Sequence, residues 1–154
     1  MARRTYSCPL RWSDMDAFGH VNNAVFLRYL EEARIDFLFG SEFGKGDHSF
    51  SDGSVVARHE IDYLRPLVHR PEPVVIESWV THISRASLTM AYEVKDEERV
   101  YARASTVVVP IDRETGRPRR ITDAERELLA AFRDDAVEAV EAVEGEAVEG
   151  AVAV

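Results

Sequence analysis

Residues 23–39 read NAVFLRYLEEARIDFLF. Phe26, Leu30, Ala33 and Phe37 recur at the spacing of one helix face. Val25, Leu27, Tyr29, Ile35 and Leu38 widen that face well beyond a simple stripe, and such a helix is buried on more than one side. Arg28, Glu32 and Asp36 occupy the remaining polar stripe at i, i+4 spacing. Asn22 or Asn23 can cap the start with a side-chain oxygen, and Gly40 ends the run. The segment predicts one long buried helix, and the rest of the chain has to supply the surface that buries it.

Working outward, residues 5–12 alternate. Tyr6, Cys8, Leu10 and Trp12 fall on one side and Ser7, Pro9 and Arg11 on the other, which predicts a half-buried strand. Pro9 has no N–H to donate, so the strand is at an edge or bulged there. Residues 13–22, SDMDAFGHVN, form a polar loop leading into the helix. Residues 41–53 hold three Gly among Ser, Asp and Lys and read as a mobile loop. Strands are expected at 55–64, 74–82, 87–95 and 100–109, followed by an Arg-rich turn at 111–120. Thr122 with Glu125 makes a capping box that opens a short helix through Phe132. Strands grouped after one helix give an α+β fold, a curved antiparallel sheet with the helix against one face.

The 154 residues suit one domain. Cys8 is the lone cysteine, so no intramolecular disulfide forms, which is compatible with a reducing, cytoplasmic setting. No apolar h-region follows Arg3 and Arg4, and no run approaches the ~20 residues of a membrane helix. The net charge is −9, but residues 134–154 hold seven acids and no Lys or Arg, so the body carries only −2. That balance argues against a nucleic-acid binder, which shows a basic stripe. Residues 1–133 read as the domain. Residues 134–154, an Ala/Val/Glu repeat with no fixed helical stripe, read as a disordered acidic tail.

The chemistry-bearing segment is Trp12-Ser13-Asp14-Met15-Asp16-Ala17-Phe18-Gly19-His20-Val21-Asn22-Asn23. It places D-x-D-x-x-G between a strand and a long helix that carries Glu31-Glu32-Ala33-Arg34. With the later Glu60-Ile61-Asp62-Tyr63-Leu64-Arg65-Pro66, it resembles the hotdog thioesterases of the 4-hydroxybenzoyl-CoA thioesterase and YbgC-like group, over about residues 5–133. The resemblance implies a curved antiparallel sheet wrapped around one long central helix. It implies hydrolysis of acyl-CoA thioesters, with Asp16 as general base on water or as nucleophile. Coenzyme A is then part of the substrate and no further cofactor is implied. The local physics agrees. Backbone N–H groups at a helix N-terminus, around Val21 to Asn23, carry partial positive charge and are suited to polarise a thioester oxygen. Gly19 fits a close backbone approach. Asp14 reads as a loop former.

His20 and Asn23 are the other catalytic candidates. The run Gly19-His20-Val21-Asn22-Asn23 is similar to the H-V-N-N run of plant-type acyl-carrier-protein thioesterases, in which the His assists. Phe18 stands where those relatives have a second catalytic Asn, so that constellation is incomplete. His20 otherwise reads as a loop histidine, and Asn23 as a cap. Phe18, Gly19, Val21, Phe26 and Tyr29 are expected at the acyl pocket. Arg85 and Ser87, in the turn after the third strand, are expected at the coenzyme, with Arg117, Arg119 and Arg120 as further phosphate candidates or a solvated turn. His59 reads as a core or interface histidine, and Glu31 is a reserve acid. No metal set, G-x-S-x-G elbow or P-loop is present. The resemblance further implies a homodimer or homotetramer with the site between subunits. Two other readings remain open: an acyl-carrier-protein thioesterase, and an acyl-CoA binding module without turnover.

Overall fold

The computed structural model describes residues 3–40, 50 and 53–134. The expected acidic tail, beyond Asp134, and most of the expected mobile loop, at 41–49 and 51–52, lie outside the described residues. The elements in chain order are β1 (Arg4–Cys8), α1 (Asn23–Phe39), β2 (Ser54–Tyr63), β3 (Val74–Ile83), β4 (Leu88–Lys95), β5 (Val100–Pro110) and α2 (Asp123–Ala130). The strands form one antiparallel sheet in the order β1-β3-β4-β5-β2. The three central strands are sequential, while β1 and β2 take the two edges. The α+β reading holds.

One face of the sheet makes the core. Leu88, Met90, Tyr92 and Val94 alternate inward on β4, as their spacing predicts, and all four are buried. Register sets Val74, Ile76 and Val80 of β3 and Ala102 and Val108 of β5 on the same face. α1 packs against β1 and β3 and buries Phe26, Tyr29, Leu30, Ala33, Arg34, Phe37 and Leu38.

Three local expectations change. Trp12 is 74% exposed because β1 pairing stops at Cys8↔Val74 and the chain then enters a single 3-10 turn, Trp12–Asp14. Ile35 is exposed and Arg34 is buried in its place. The buried face follows 26, 30, 33 and 37, and position 34 borders that line while 35 lies a further 100° around it. Gly40 closes α1 with an ordinary right-handed backbone (φ −84°), its N–H donating to the Asp36 carbonyl. A Cβ there would sit 2.6 Å from that same carbonyl oxygen, so close approach is the reason for glycine.

Charged groups tie the two ends of the described chain together on the outer face. Arg3 reaches Glu77, Glu93 and Asp134, and its guanidinium lies 3.8 Å from the Trp79 ring centroid. Lys95 and Arg103 complete the set around Glu93, which is buried.

The β4–β5 turn is pinned by Asp96. Its carboxylate accepts from Arg70 at 2.7 Å, from the Tyr101 hydroxyl, and from the N–H groups of Glu98 and Arg99. Burial opposes ionisation, but these hydrogen bonds outweigh it and hold the carboxyl well below the usual carboxylate range. A folded pKa below the unfolded value contributes stability above the unfolded pKa of ~3.9, and loses it as pH falls toward the folded value. Asp96→Asn is therefore expected to lower stability at neutral pH by on the order of 1–2 kcal/mol, allowing for partial exposure. Melting curves should converge with wild type as pH drops below about 4; a constant gap down to pH 2 would contradict this origin.

Candidate active site

β1 delivers the chain to the turn Trp12–Asp14, and the loop 15–22 returns it to the N-terminus of α1. The loop closes on itself. Met15 and Val21 form an antiparallel bridge, the Asp16 N–H donates to the His20 carbonyl at 3.0 Å, and the Gly19 N–H donates to the Asp16 carbonyl at 3.0 Å. Gly19 has φ +78° and nothing within 4 Å of a built Cβ. The reversal of the chain demands this glycine, rather than the close approach expected for it.

The loop is clamped to α1 from below. The Asp14 carboxylate accepts the Tyr29 hydroxyl at 2.6 Å and the Arg11 N–H at 2.9 Å. Burial first, and then this hydrogen bond, push the Tyr29 phenol well above its ordinary range, so it remains a donor at any working pH. Burial also pushes the nearby Cys8 thiol up to about 12, which leaves it unreactive.

Asp16 is half-buried and held at both oxygens. Oδ1 accepts the Phe18 N–H at 2.9 Å and Oδ2 accepts the Asn22 side-chain amide at 3.1 Å. Asn22 is the cap of α1, its Oδ1 accepting the Ala24 N–H at 2.9 Å. Each carboxylate oxygen keeps lone-pair capacity for a water or a carbon centre.

The expected set of oxyanion donors contracts. The Val21 N–H is spent on the Leu67 carbonyl at 2.7 Å, and the Val21 side chain is fully buried. The Asn22 N–H is spent on the Asp14 carbonyl, and the Ala24 and Val25 N–H groups on Asn22. Among the described residues, the Asn23 N–H is the donor of this turn left with no protein acceptor. Its carbonyl takes the Tyr63 hydroxyl at 2.7 Å, which anchors the helix start to β2.

His20 sits inside the same loop, and its Nδ1 is buried with no hydrogen-bond partner. An orphaned buried ring nitrogen costs about 1–3 kcal/mol, the kind of cost found where a ligand completes the set. Phe18, beside Asp16, is 56% exposed. Phe26 and Tyr29, expected at the acyl pocket, are core residues of the protomer at 0% and 5% exposure. The Phe26 ring packs edge-on to Tyr63 at 5.4 Å.

Arg85 and Ser87 are not brought to Asp16 within one protomer. Asp16 lies at the sheet end where β3 begins, at Val74, whereas Arg85 and Ser87 follow its other end, at Ile83. Nine strand steps separate those ends by roughly 30 Å. Arg85 is exposed, and Ser87 pairs with Ser84 across the turn. Arg119 is committed to Glu125, which is buried, while Arg117 and Arg120 are exposed. His59 meets Thr106 at 2.9 Å, and burial, then Arg34, hold its pKa below the usual value. Glu31, the reserve acid, is exposed and lies 3.7 Å from Arg34. No helix among the described residues is long and apolar enough to cross a membrane.

The partner of Asp16 that the sequence does not reveal is Asn22, read there only as a cap; nothing in an Asn before a helix signals its second bond to Asp16. The Leu67 carbonyl that captures Val21 is likewise invisible in sequence.

A carboxylate held in a D-x-D-x-x-G loop against a helix N-terminus, on this strand order, defines a class. The thioesterase-like superfamily model matches residues 10–132, and the chain belongs to that superfamily, as a thioester hydrolase with a hotdog-type fold. Among individual relatives, the long-chain acyl-CoA thioesterase FadM of Escherichia coli (strain K12) is 31% identical over 122 residues, covering 78% of this chain and 92% of FadM. The uncharacterized protein YsmA of Bacillus subtilis (strain 168) is 31% identical over 126 residues, covering 80% and 83%. A thioesterase from Thermus thermophilus, solved with coenzyme A and Zn, is similar at 34% identity and a TM-score of 0.71, covering 83% of this chain and 92% of that one.

Proposed function

We propose that the chain hydrolyses acyl-CoA thioesters to the free acid and coenzyme A, with Asp16 as the reacting carboxylate. The observation that carries this reading is the Asp16 carboxylate, fixed at both oxygens, in the loop that leads to an unspent Asn23 N–H at the start of α1. As a general base, Asp16 takes a proton from water while the water oxygen adds to the thioester carbon. As a nucleophile, it adds directly and water then opens the resulting anhydride. In both cases negative charge develops on the carbonyl oxygen, where the Asn23 N–H and the helix N-terminus stabilise it. Collapse breaks the C–S bond; the departing coenzyme A thiolate takes up the proton that Asp16 drew from water or, on the nucleophilic path, where the anhydride forms at this step, a proton from solvent. The orphaned His20 Nδ1 supports a place for that residue beside the acyl thioester, and exposed Phe18 supports an apolar contact there. FadM and the coenzyme-A-bound Thermus thioesterase support acyl-CoA as the donor class. The commitment of Arg119 to Glu125 weakens the case for a carrier-protein docking patch at 117–120.

In this reading the sheet curves around α1 as the central helix of the domain, and two copies pair through β2. Two observations support a dimer, the open sheet edge and the separation of Asp16 from Arg85. Among the described residues β2 is an edge strand with no neighbour on its outer side and with Val55 and Val56 exposed, an edge that proteins otherwise cover. Antiparallel pairing of β2 with its copy inverts the ends of the sheet. It sets the Arg85 end of the partner beside the Asp16 end of this chain, which the roughly 30 Å separation within a protomer forbids.

The test is subunit complementation, followed as coenzyme A release at low substrate. Asp16→Asn and Arg85→Glu proteins should each be weak alone. Mixed and allowed to exchange subunits, they should recover about a quarter of wild-type activity, since half the dimers then carry one site with Asp16 from one chain and Arg85 from the other. No recovery, with exchange verified by mass spectrometry, would overturn the shared site. Saturable acyl-CoA binding without any release by wild type would overturn the hydrolase and leave a binding module.

A further inference from the structure

Asn22 touches both halves of the reacting constellation. Its Oδ1 accepts the Ala24 N–H at 2.9 Å and so caps α1, while its Nδ2 donates to Asp16 Oδ2 at 3.1 Å. Its backbone N–H is itself fixed at 3.0 Å by the Asp14 carbonyl, and the Asp14 side chain is clamped to α1 through Tyr29. The cap needs an acceptor and the carboxylate needs a donor. A short amide offers the two on separate atoms, Oδ1 toward Ala24 and Nδ2 toward Asp16, where a hydroxyl has a single oxygen for both, and the two partners together fix its orientation. A Ser or Asp cap would serve the helix equally well. Capping alone therefore leaves the choice of Asn, and its contact with Asp16, unexplained.

We propose that Asn22 is a positioning residue for the reaction. It sets Asp16 Oδ2 at a fixed distance from the N-terminus of α1, so that the carboxylate and the Asn23 N–H meet the same thioester carbonyl. The Phe18 N–H on Oδ1 defines the second point, and two points fix the plane of the carboxylate. This inference rests on the reading of Asp16 as the reacting group.

The experiment is a double-mutant cycle on acyl-CoA hydrolysis, with thermal melting measured alongside. Asn22→Ser keeps a capping oxygen and removes the Nδ2 that reaches Asp16, leaving one shorter oxygen that the cap already engages. It should melt near wild type and keep KM within about threefold, while kcat falls roughly 10- to 100-fold, the scale of a misplaced reacting group. Asn22→Asp also keeps the cap but sets an anion against Asp16, and its kcat should fall further. In the Asp16→Asn background, adding Asn22→Ser should change the residual kcat by less than about twofold, because no carboxylate remains to be positioned. A wild-type kcat for Asn22→Ser, or an equal loss in both backgrounds, would overturn the positioning role while Asp16 keeps its own. Full turnover by Asp16→Asn alone would overturn the Asp16 reading itself.

Discussion

Asp16→Asn should lose most of its turnover while keeping its fold and its affinity for substrate. Asparagine has the shape of aspartate and can still accept the Phe18 N–H that holds Oδ1 in place. The loop is also fixed independently by the Asp16 N–H to His20 bond, the Gly19 N–H to Asp16 bond and the Asp14–Tyr29 clamp. What the amide cannot do is take a proton from water or form an acyl anhydride. The loss of a positioned base is worth about 10²–10⁴ in rate, and it should appear in kcat with KM little changed. Steady-state kinetics with a melting curve on the same sample separates this outcome from misfolding. A variant that melts normally and still turns over would move the chemistry to His20 or Glu31.

The largest stability effect should come from Phe26→Ala, at about 3–5 kcal/mol out of a total of roughly 5–15. The Phe26 ring is fully buried, edge-on to Tyr63 at 5.4 Å and 6.0 Å from the Tyr29 ring. Those two tyrosines hold Asn23 and Asp14, so the cavity would open beneath the first turn of α1 and loosen the Asp16 loop as well. A residue lining an open acyl pocket would behave differently: truncation would shift chain-length preference and leave stability nearly unchanged. Urea unfolding against an acyl-length profile distinguishes the two, and a loss under ~1 kcal/mol would contradict the core assignment.

The fold was legible where periodicity is strong. The spacing of Phe26, Leu30, Ala33 and Phe37 places α1 at its observed bounds, and the alternation of Leu88 to Val94 places β4 and its inner face. Local patterns failed where pairing or packing decides. Nothing in the alternation at 5–12 reveals that β1 loses its neighbour after Cys8, which frees Trp12. Arg34 could not be read as buried, because its Tyr92 neighbour becomes visible only once α1 lies on the sheet. At the site, the D-x-D-x-x-G spacing singles out Asp16, but backbone donors carry no side-chain signature. That Val21 spends its N–H on Leu67 while Asn23 keeps its own depends on a contact 46 residues away in sequence. The distance between Asp16 and Arg85 follows from strand direction, which the element order alone leaves open.

The wild-type protein is expected to cleave the thioester bond. The measurement is release of free thiol from a panel of acyl-CoA thioesters of differing chain length and aromaticity, with the acid product identified by mass spectrometry. The prediction is saturable release, one coenzyme A per acid formed, from at least one member of the panel. Release no faster than the buffer rate across the whole panel, from protein that is folded and binds acyl-CoA, would contradict it.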